Sequence, residues 1–293
     1  MITRVTTQMS MAAASARLQA GAVKVAQATE QATTLKNIQR PSDDPVGTVS
    51  SMQVRKEQAA AAQYTRNAND AVGWLATTDS ALSSVYSVLN SVRDLTVQAA
   101  NSGTMSDTDR DAFITQFRSL KSDLEARANT TYGTRSVFAG SSTTPTAYDP
   151  ATGWAPSGTD VTRRVGDGTT VRVDTAGADV FGSGSGSVFA MLDSIVDDLQ
   201  NGVNVNAQIG SVDAAITTVR GVQADVGVRH AAALTAQDSL KTATVSLENR
   251  RAGIEDTDLA KAVLDLQVQQ TNYQAALAVT AKVLQPTLMD YIR

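Results

Sequence analysis

The six prolines of this chain stand at 41, 45, 145, 150, 156 and 286, which leaves 46–144 and 157–285 without any. Proline removes a backbone donor and clashes with the preceding helical turn. Two tracts of this length without it permit helices several times longer than the globular average. Glycine has the complementary distribution: ten of the 19 lie between Gly133 and Gly186, among Thr, Ser, Asp, Val and three of the prolines. That segment reads as an irregular or β-rich insertion between two helical arms. Alanine, the commonest residue, reinforces the helical reading.

Apolar spacing assigns the helices. Met11, Ala14, Leu18, Gly21, Val25, Ala28, Ala32 and Leu35 alternate steps of three and four, the seam of a coiled-coil-like helix expected to end near Arg40-Pro41. After Asp43-Asp44-Pro45, acids and a proline that suit a first helical turn, periodicity resumes through Trp74, Leu82, Val85, Leu89, Val92 and Leu95 to about Ala100. Gly103 is expected to break this helix and Ser106 to cap the next, whose stripe is Phe113, Phe117, Leu120 and Leu124. Beyond the insertion, Val188 to Gln200 reads as a short helix. The same spacing then holds from Ile209 through Val212, Ile216, Val219, Gln223, Val226, His230, Ala233, Gln237, Leu240 and Thr244 to Leu247. A final seam, Leu259, Val263, Leu266, Gln270, Tyr273, Leu277, Thr280 and Leu284, closes the pattern before Pro286. The expected fold is mainly α, with coiled-coil-like helices flanking a small β-rich central insertion.

The two ends differ from the middle. The large seam residues of the first helix are only Met11, Leu18, Val25 and Leu35, too few to offset the backbone entropy of ordering it alone. Residues 1–40 and 255–293 are therefore expected to be largely disordered in the monomer and to fold as paired helices within an assembly, where small Ala and Gly positions suit close packing.

Several function classes drop out on composition. Cysteine is absent, which removes disulfides, thiol nucleophiles and thiolate metal sites. His230 is the single histidine; it cannot build a multi-histidine metal site, and on a helical seam it reads as a packed core residue. A net charge of −4 without a basic patch argues against nucleic acid as a partner. No apolar run is long enough to span a bilayer, no secretory leader is expected, and membrane insertion is not.

The motifs with apparent chemistry are weak. Asp107, Asp109 and Asp111 imitate a calcium loop, but Ala112 and Arg118 stand where glycine and glutamate belong, so the acids read as decoration of a helix N-terminus. Gly182, Gly184 and Gly186 precede a helix without the Lys-Ser/Thr pair of a phosphate loop and read as a linker. Asp43-Asp44 and Glu255-Asp256 are paired carboxylates, but each pair falls at a helix junction where acids favour the dipole. No catalytic, cofactor or metal residue is assigned, and no enzyme is expected.

Those two charged junctions carry a resemblance. Asn37-Ile38-Gln39-Arg40-Pro41-Ser42-Asp43-Asp44-Pro45-Val46 resembles the R-P-S-D-D-P signature of the flagellin-like family, in particular its hook-filament junction branch. The opening Arg4-Val5-Thr6-Thr7-Gln8-Met9, the stretch from Glu248-Asn249-Arg250-Arg251 to Ile254-Glu255-Asp256-Thr257-Asp258-Leu259-Ala260, and Tyr132-Gly133 through Val137-Phe138-Ala139-Gly140 are similar to further family segments. The resemblance implies a long antiparallel helical rod with paired N- and C-terminal helices. It implies an inner terminal-helix domain (1–43 and 251–293), a rod domain (44–130 and 188–250) and an outer β-rich domain (131–187).

It further implies an extracellular subunit of the bacterial flagellum, held by a chaperone in the cell and passed through the type III export apparatus without a cleaved leader. Such a subunit assembles with itself as a ring, between the preceding hook-associated junction protein and flagellin. Arg40, Asp43, Asp44, Arg250, Arg251, Glu255 and Asp258 are then expected to order the joint between inner helices and rod. Met11, Leu18, Val25, Leu35, Leu259, Val263, Leu266, Tyr273, Leu277 and Leu284 are expected to pack the terminal helices. The alternatives are a flagellin filament subunit, whose junction usually lacks the two flanking prolines, and a secreted helical rod acting as an effector or adhesin. A peptidase of the kind inserted in some flagellin relatives is excluded, because the insertion has no histidine.

Overall fold

The computed structural model describes residues 2–101, 106–142, 144, 146–155 and 158–283. In chain order the elements are helices α1 (Ile2–Thr34), α2 (Pro45–Asn101) and α3 (Asp107–Ala128), then strands β1 (Thr131–Tyr132), β2 (Arg135–Ser136), β3 (Tyr148–Asp149), β4 (Gly153–Trp154), β5 (Thr162–Arg164) and β6 (Thr170–Arg172). Helices α4 (Gly177–Phe181), α5 (Val188–Gln200), α6 (Ile209–Glu255) and α7 (Leu259–Val283) follow, with single 3-10 turns at Gly184–Gly186 and Val205–Gln208. The chain forms two compact units, Met1–Ala59 with Thr244–Arg293, and Ala60–Ala243. Gly103 and Leu284 lie outside the described residues.

In the second unit α2 and α6 run antiparallel. Arg93 meets Asp213 at 2.6 Å, Gln223 donates to Asp79 at 3.1 Å, and Gln237 donates to Asn69 at 2.7 Å, so partner numbers fall as residue numbers rise. Once per heptad α6 places a fully buried residue, Val212, Val219, Val226, Ala233 and Leu240, and between them half-buried Ile216, Gln223, His230 and Gln237. Gln223 and Gln237 sit at the edge of this seam, where each long amide reaches a partner on α2, whereas the Nε2 of His230 is buried without a hydrogen bond. Trp74, Leu82, Val85, Leu89, Val92 and Leu95 of α2 are all buried. Ser106 accepts from the Asp109 amide at 3.2 Å and starts α3, whose Ile114, Phe117 and Leu124 are buried. Helix α5, capped by Ser187, packs on α3 and buries Val188, Phe189, Leu192, Ile195, Val196 and Leu199.

The insertion holds the expected strands as three separate antiparallel hairpins, β1–β2, β3–β4 and β5–β6, of two or three residues per strand. Hairpins this short have no independent stability. Their order comes from an aromatic cluster, in which Tyr148 stacks on Phe189 at 4.1 Å between centroids and Phe181 stacks on Phe189 at 5.6 Å, with Trp154 and Phe138 against Phe181. Polar contacts tie the insertion to the long helices: Asn67 donates to Arg164 O at 2.7 Å, Arg163 meets Asp70 at 2.6 Å, and Arg229 donates to Asp174 O at 2.8 Å.

In the first unit α1 and α7 pair within one chain, although their expected folding was confined to an assembly. Ala14, Leu18, Gly21, Val25 and Ala28 form the covered stripe of α1; Ala262, Leu266, Gln269, Tyr273, Ala276 and Thr280 form that of α7. Of all these only Ala28 and Ala262 are fully buried. Helix α1 stops at Thr34, short of the expected Arg40-Pro41, because the backbone from Leu35 to Asn37 leaves the helix to pair with Glu255–Thr257. Leu35 takes φ +55°, the left-handed turn more often given to glycine.

Candidate functional site

The two charged junctions of the sequence meet in the first unit. Leu35 N closes the last turn of α1 on Gln31 O at 2.9 Å, and the chain then reverses. Asn37 N donates to Glu255 O at 2.7 Å and Thr257 N to Leu35 O at 2.9 Å, with Lys36 and Asp256 opposed as an antiparallel bridge. The α1–α2 and α6–α7 connections are thus strapped together by two backbone hydrogen bonds.

Asp43 and Asp44 do separate work one residue apart. The Asp43 carboxylate accepts the Arg40 amide at 2.8 Å and the Gln39 amide at 3.3 Å, closing the Arg40-Pro41-Ser42-Asp43 turn. The Asp44 carboxylate accepts the Val46 and Gly47 amides at 3.1 and 2.9 Å, which makes it the N-cap of α2 with Pro45 at the first helical position. A Cβ at 47 would overlap Ile38 Cδ1 and the Asp44 carboxylate, so any larger residue there must displace these two side chains. At the other junction Asp258 caps α7 by accepting the Lys261 amide at 3.1 Å.

Glu255, the last residue of α6, lies between these turns and is 3% exposed. Its Oε1 accepts a hydrogen bond from the Ser51 hydroxyl and one from Arg55 Nε at 2.8 Å; a terminal nitrogen of Arg55 is paired with the same oxygen at 2.8 Å, and Lys36 Nζ lies 3.8 Å from Oε2. Burial alone would push this carboxyl upwards. The Ser51 and Arg55 hydrogen bonds and the Arg55 and Lys36 charges outweigh it and hold Glu255 below the ordinary glutamate range. The group is an anion hydrogen-bonded through Oε1 and paired through Oε2 with Lys36, suited to holding chain segments.

The expected joint residues do not form one network. Arg40 reaches Glu30 at 3.8 Å, Arg250 pairs with Glu57 of α2 at 3.1 Å, and Arg251 pairs with Glu248 on its own helix at 3.3 Å. The sequence reading missed Lys36, Ser51 and Arg55, the groups around Glu255, the one buried charged residue of this unit among the described residues. Ser51 and Arg55 stand one turn apart on α2, a spacing visible in the sequence, but nothing local says that this face meets residue 255. Among the terminal packing residues Leu18, Val25, Leu266 and Tyr273 are half-buried, while Met11, Leu35, Leu259, Val263 and Leu277 are exposed in the single chain.

Two family models match, the bacterial flagellin N-terminal helical region over residues 5–143 and the C-terminal helical region over residues 209–292. The chain belongs to the flagellin family. Its two junctions lie one in each of the regions that define the family, and the intervening 144–208 carries most of the insertion together with α5.

Similar family members include flagellar hook-associated protein 3 of Salmonella typhimurium, 32% identical over 192 residues and 60% of each chain, and that of Escherichia coli, 31% identical over 189 residues and 59% of each. The match thus spans about three fifths of the length of these relatives. Flagellin of Bacillus subtilis is 24% identical over 261 residues, 84% of each chain. Among solved structures, a putative flagellar hook-associated protein from Vibrio parahaemolyticus shares the fold with a TM-score of 0.66 at 21% identity, over 73% of this chain and all of that one. Bacillus cereus FlgL gives 0.59 at 20% identity over 68% and 99%. No helix among the described residues is long and apolar enough to cross a membrane.

Proposed function

We propose that this flagellin-family chain is a structural adaptor at the hook-filament junction of the bacterial flagellum, joining the preceding hook-associated protein to the flagellin filament. The 32% identity to hook-associated protein 3 of Salmonella typhimurium carries this reading. The prolines on both sides of Ser42-Asp43-Asp44 favour it over a filament subunit, although Bacillus subtilis flagellin matches over more of the chain at lower identity and Listeria monocytogenes flagellin over less of it at 38% identity. Under this reading the subunit is extracellular, reached by type III export with a cytoplasmic chaperone, and assembles with itself as a ring. Its work is structural and not enzymatic.

The domain assignment follows from the same reading. Residues 1–43 with 251–293 form the inner terminal-helix domain, 44–130 with 188–250 the rod, and 131–187 the outer domain. The exposed Leu259, Val263, Leu264, Val268, Leu277 and Val279 of α7, with Met9, Met11 and Val23 of α1, support it, because one chain leaves them uncovered. Arg40, Asp43, Asp44, Arg250, Arg251, Glu255 and Asp258 order the joint.

Deleting the gene in the source cell, imaging the surface and assaying the medium for filament protein tests the proposal. Bare hooks with unpolymerised flagellin shed outside are expected, since export continues without a platform for filament growth. Loss of the filament protein itself would make the chain a flagellin, and intact motile filaments would favour a secreted rod.

A further inference from the structure

We infer that Glu255 is an ionic latch: its buried negative charge holds the α1–α7 helix pair in register through the strap at Leu35–Asn37, and neutralising it frees that pair while the second unit stays folded. This rests on the geometry of the first unit alone and not on the place of the chain in a flagellum.

The α1–α7 pair has little of its own to hold it. It buries two alanines fully, covers Gly21 with the Tyr273 ring, only half-buries Leu18, Val25 and Leu266, and leaves Met11, Val23, Val263, Leu264, Val268, Leu277 and Val279 exposed. Helix pairs of this composition are marginal without further tertiary contact. What fixes their entry into α2 and α6 is the strap of two backbone hydrogen bonds, one of which ends on Glu255 O itself. Glu255 and its partner Ser51 are the only buried polar side chains of this unit among the described residues. Backbone and side chain of one residue therefore hold all three lines together: the α1–α2 connection through Asn37 and Lys36, α2 through Ser51 and Arg55, and the end of α6.

The latch is asymmetric in its charges. Arg55 and Lys36 have side chains 59% and 48% exposed, so each can turn into water at little cost when the anion disappears. The carboxylate has no such exit. Protonating Glu255 thus dissolves two ion pairs gently, whereas removing Arg55 strands a buried anion, the costlier change. Because the folded form holds Glu255 below its ordinary value, the stabilisation is fully present above the unfolded value, near pH 4.3, and is lost as pH falls through the folded value. The charged groups facing the carboxylate are Arg55 from α2 and Lys36 from the α1–α2 connection.

Hydrogen exchange with mass spectrometry on the full chain, corrected for intrinsic rates, tests this at about pH 6.5 and about pH 3.5. Wild type is expected to lose protection in α1 and α7 peptides at the lower pH, by up to about sevenfold because pH 3.5 lies about 0.8 units below the ordinary glutamate value, with α3 and α5 peptides unchanged. Glu255→Gln keeps the shape and a Ser51 hydrogen bond, and is expected to show the loosened pair at both pH values. Arg55→Met should invert the response, with protection lowest near neutrality and partly recovered in acid, when the stranded carboxylate takes up a proton. Wild-type protection in Glu255→Gln with an unaltered acid response would overturn the latch. So would equal loss in α3 and α5, or terminal helices already unprotected in wild type near pH 6.5.

Discussion

The ring of Tyr273 lies over Gly21, so close that a Cβ at position 21 would stand 3.1 Å from its Cδ2. This close approach accounts for a glycine in a helix interior, where alanine would otherwise be favoured by about 1 kcal/mol. Gly21→Leu is expected to push the ring out and weaken the pair by roughly 1–2 kcal/mol, overpacking offset in part by helix propensity. Circular dichroism during heating would show early loss of some helix signal before the main transition. A single transition at the wild-type midpoint would argue that the pair does not depend on this contact.

The α2 cap offers a second test. Asp44→Ala removes the acceptor for two amides and should cost about 1 kcal/mol locally. Asp43→Ala opens the Arg40 turn by losing another two. The double variant is expected to weaken filament attachment in cells while the urea unfolding of the second unit, followed by tryptophan fluorescence, stays at its wild-type midpoint. Normal attachment would count against a role for this turn in assembly.

These tests bear on what the sequence could reveal. Seven-residue periodicity announced α6 well, because its buried positions carry Val, Ala and Leu in an unbroken register and its seam glutamines Gln223 and Gln237 reach partners at the edge. The same reading chose Val263 and Leu277 for the inner face of α7, whereas Ala262 and Ala276 cover that place and the larger residues stand outside. Size was the misleading signal: a close helix pair buries small residues, and the large ones wait for other surfaces. The end of α1 was misjudged because Leu35 turns left-handed to meet Glu255–Thr257, a contact 220 residues distant in sequence that no local propensity encodes. Asp43, Asp44 and Asp258 were legible as acids at helix starts for the opposite reason, their partners lying within four residues.

Within the insertion, Gly177 begins α4 against the Trp154 indole, and a Cβ there would overlap the ring's Cζ3 and Cε3. The indole cannot easily yield, since its Nε1 donates to Gly182 O at 2.8 Å and its faces meet Tyr148 and Phe181. Gly177→Ala should therefore destabilise the second unit by about 1–3 kcal/mol. Gly186→Ala, which meets open space, serves as the control and should stay within about 0.5 kcal/mol. Equal urea midpoints for the two variants would show that the aromatic cluster tolerates rearrangement.

The aromatic cluster also carries an alkaline signature. Burial against Phe189 and Trp154 raises the Tyr148 hydroxyl above its ordinary value, and Glu125, Asp193 and Asp149 add to the rise against the opposing charge of Lys121. A raised value means that the folded state holds this proton more tightly than the unfolded chain does. Stability therefore has its full value below the unfolded tyrosine range, about pH 10, and falls as pH rises through it towards the folded value. Tyr148→Phe keeps the stacking and removes the titration. The urea midpoint of wild type should fall more steeply between about pH 9 and pH 11 than that of the variant, and parallel slopes would mean that the hydroxyl is as well solvated folded as unfolded.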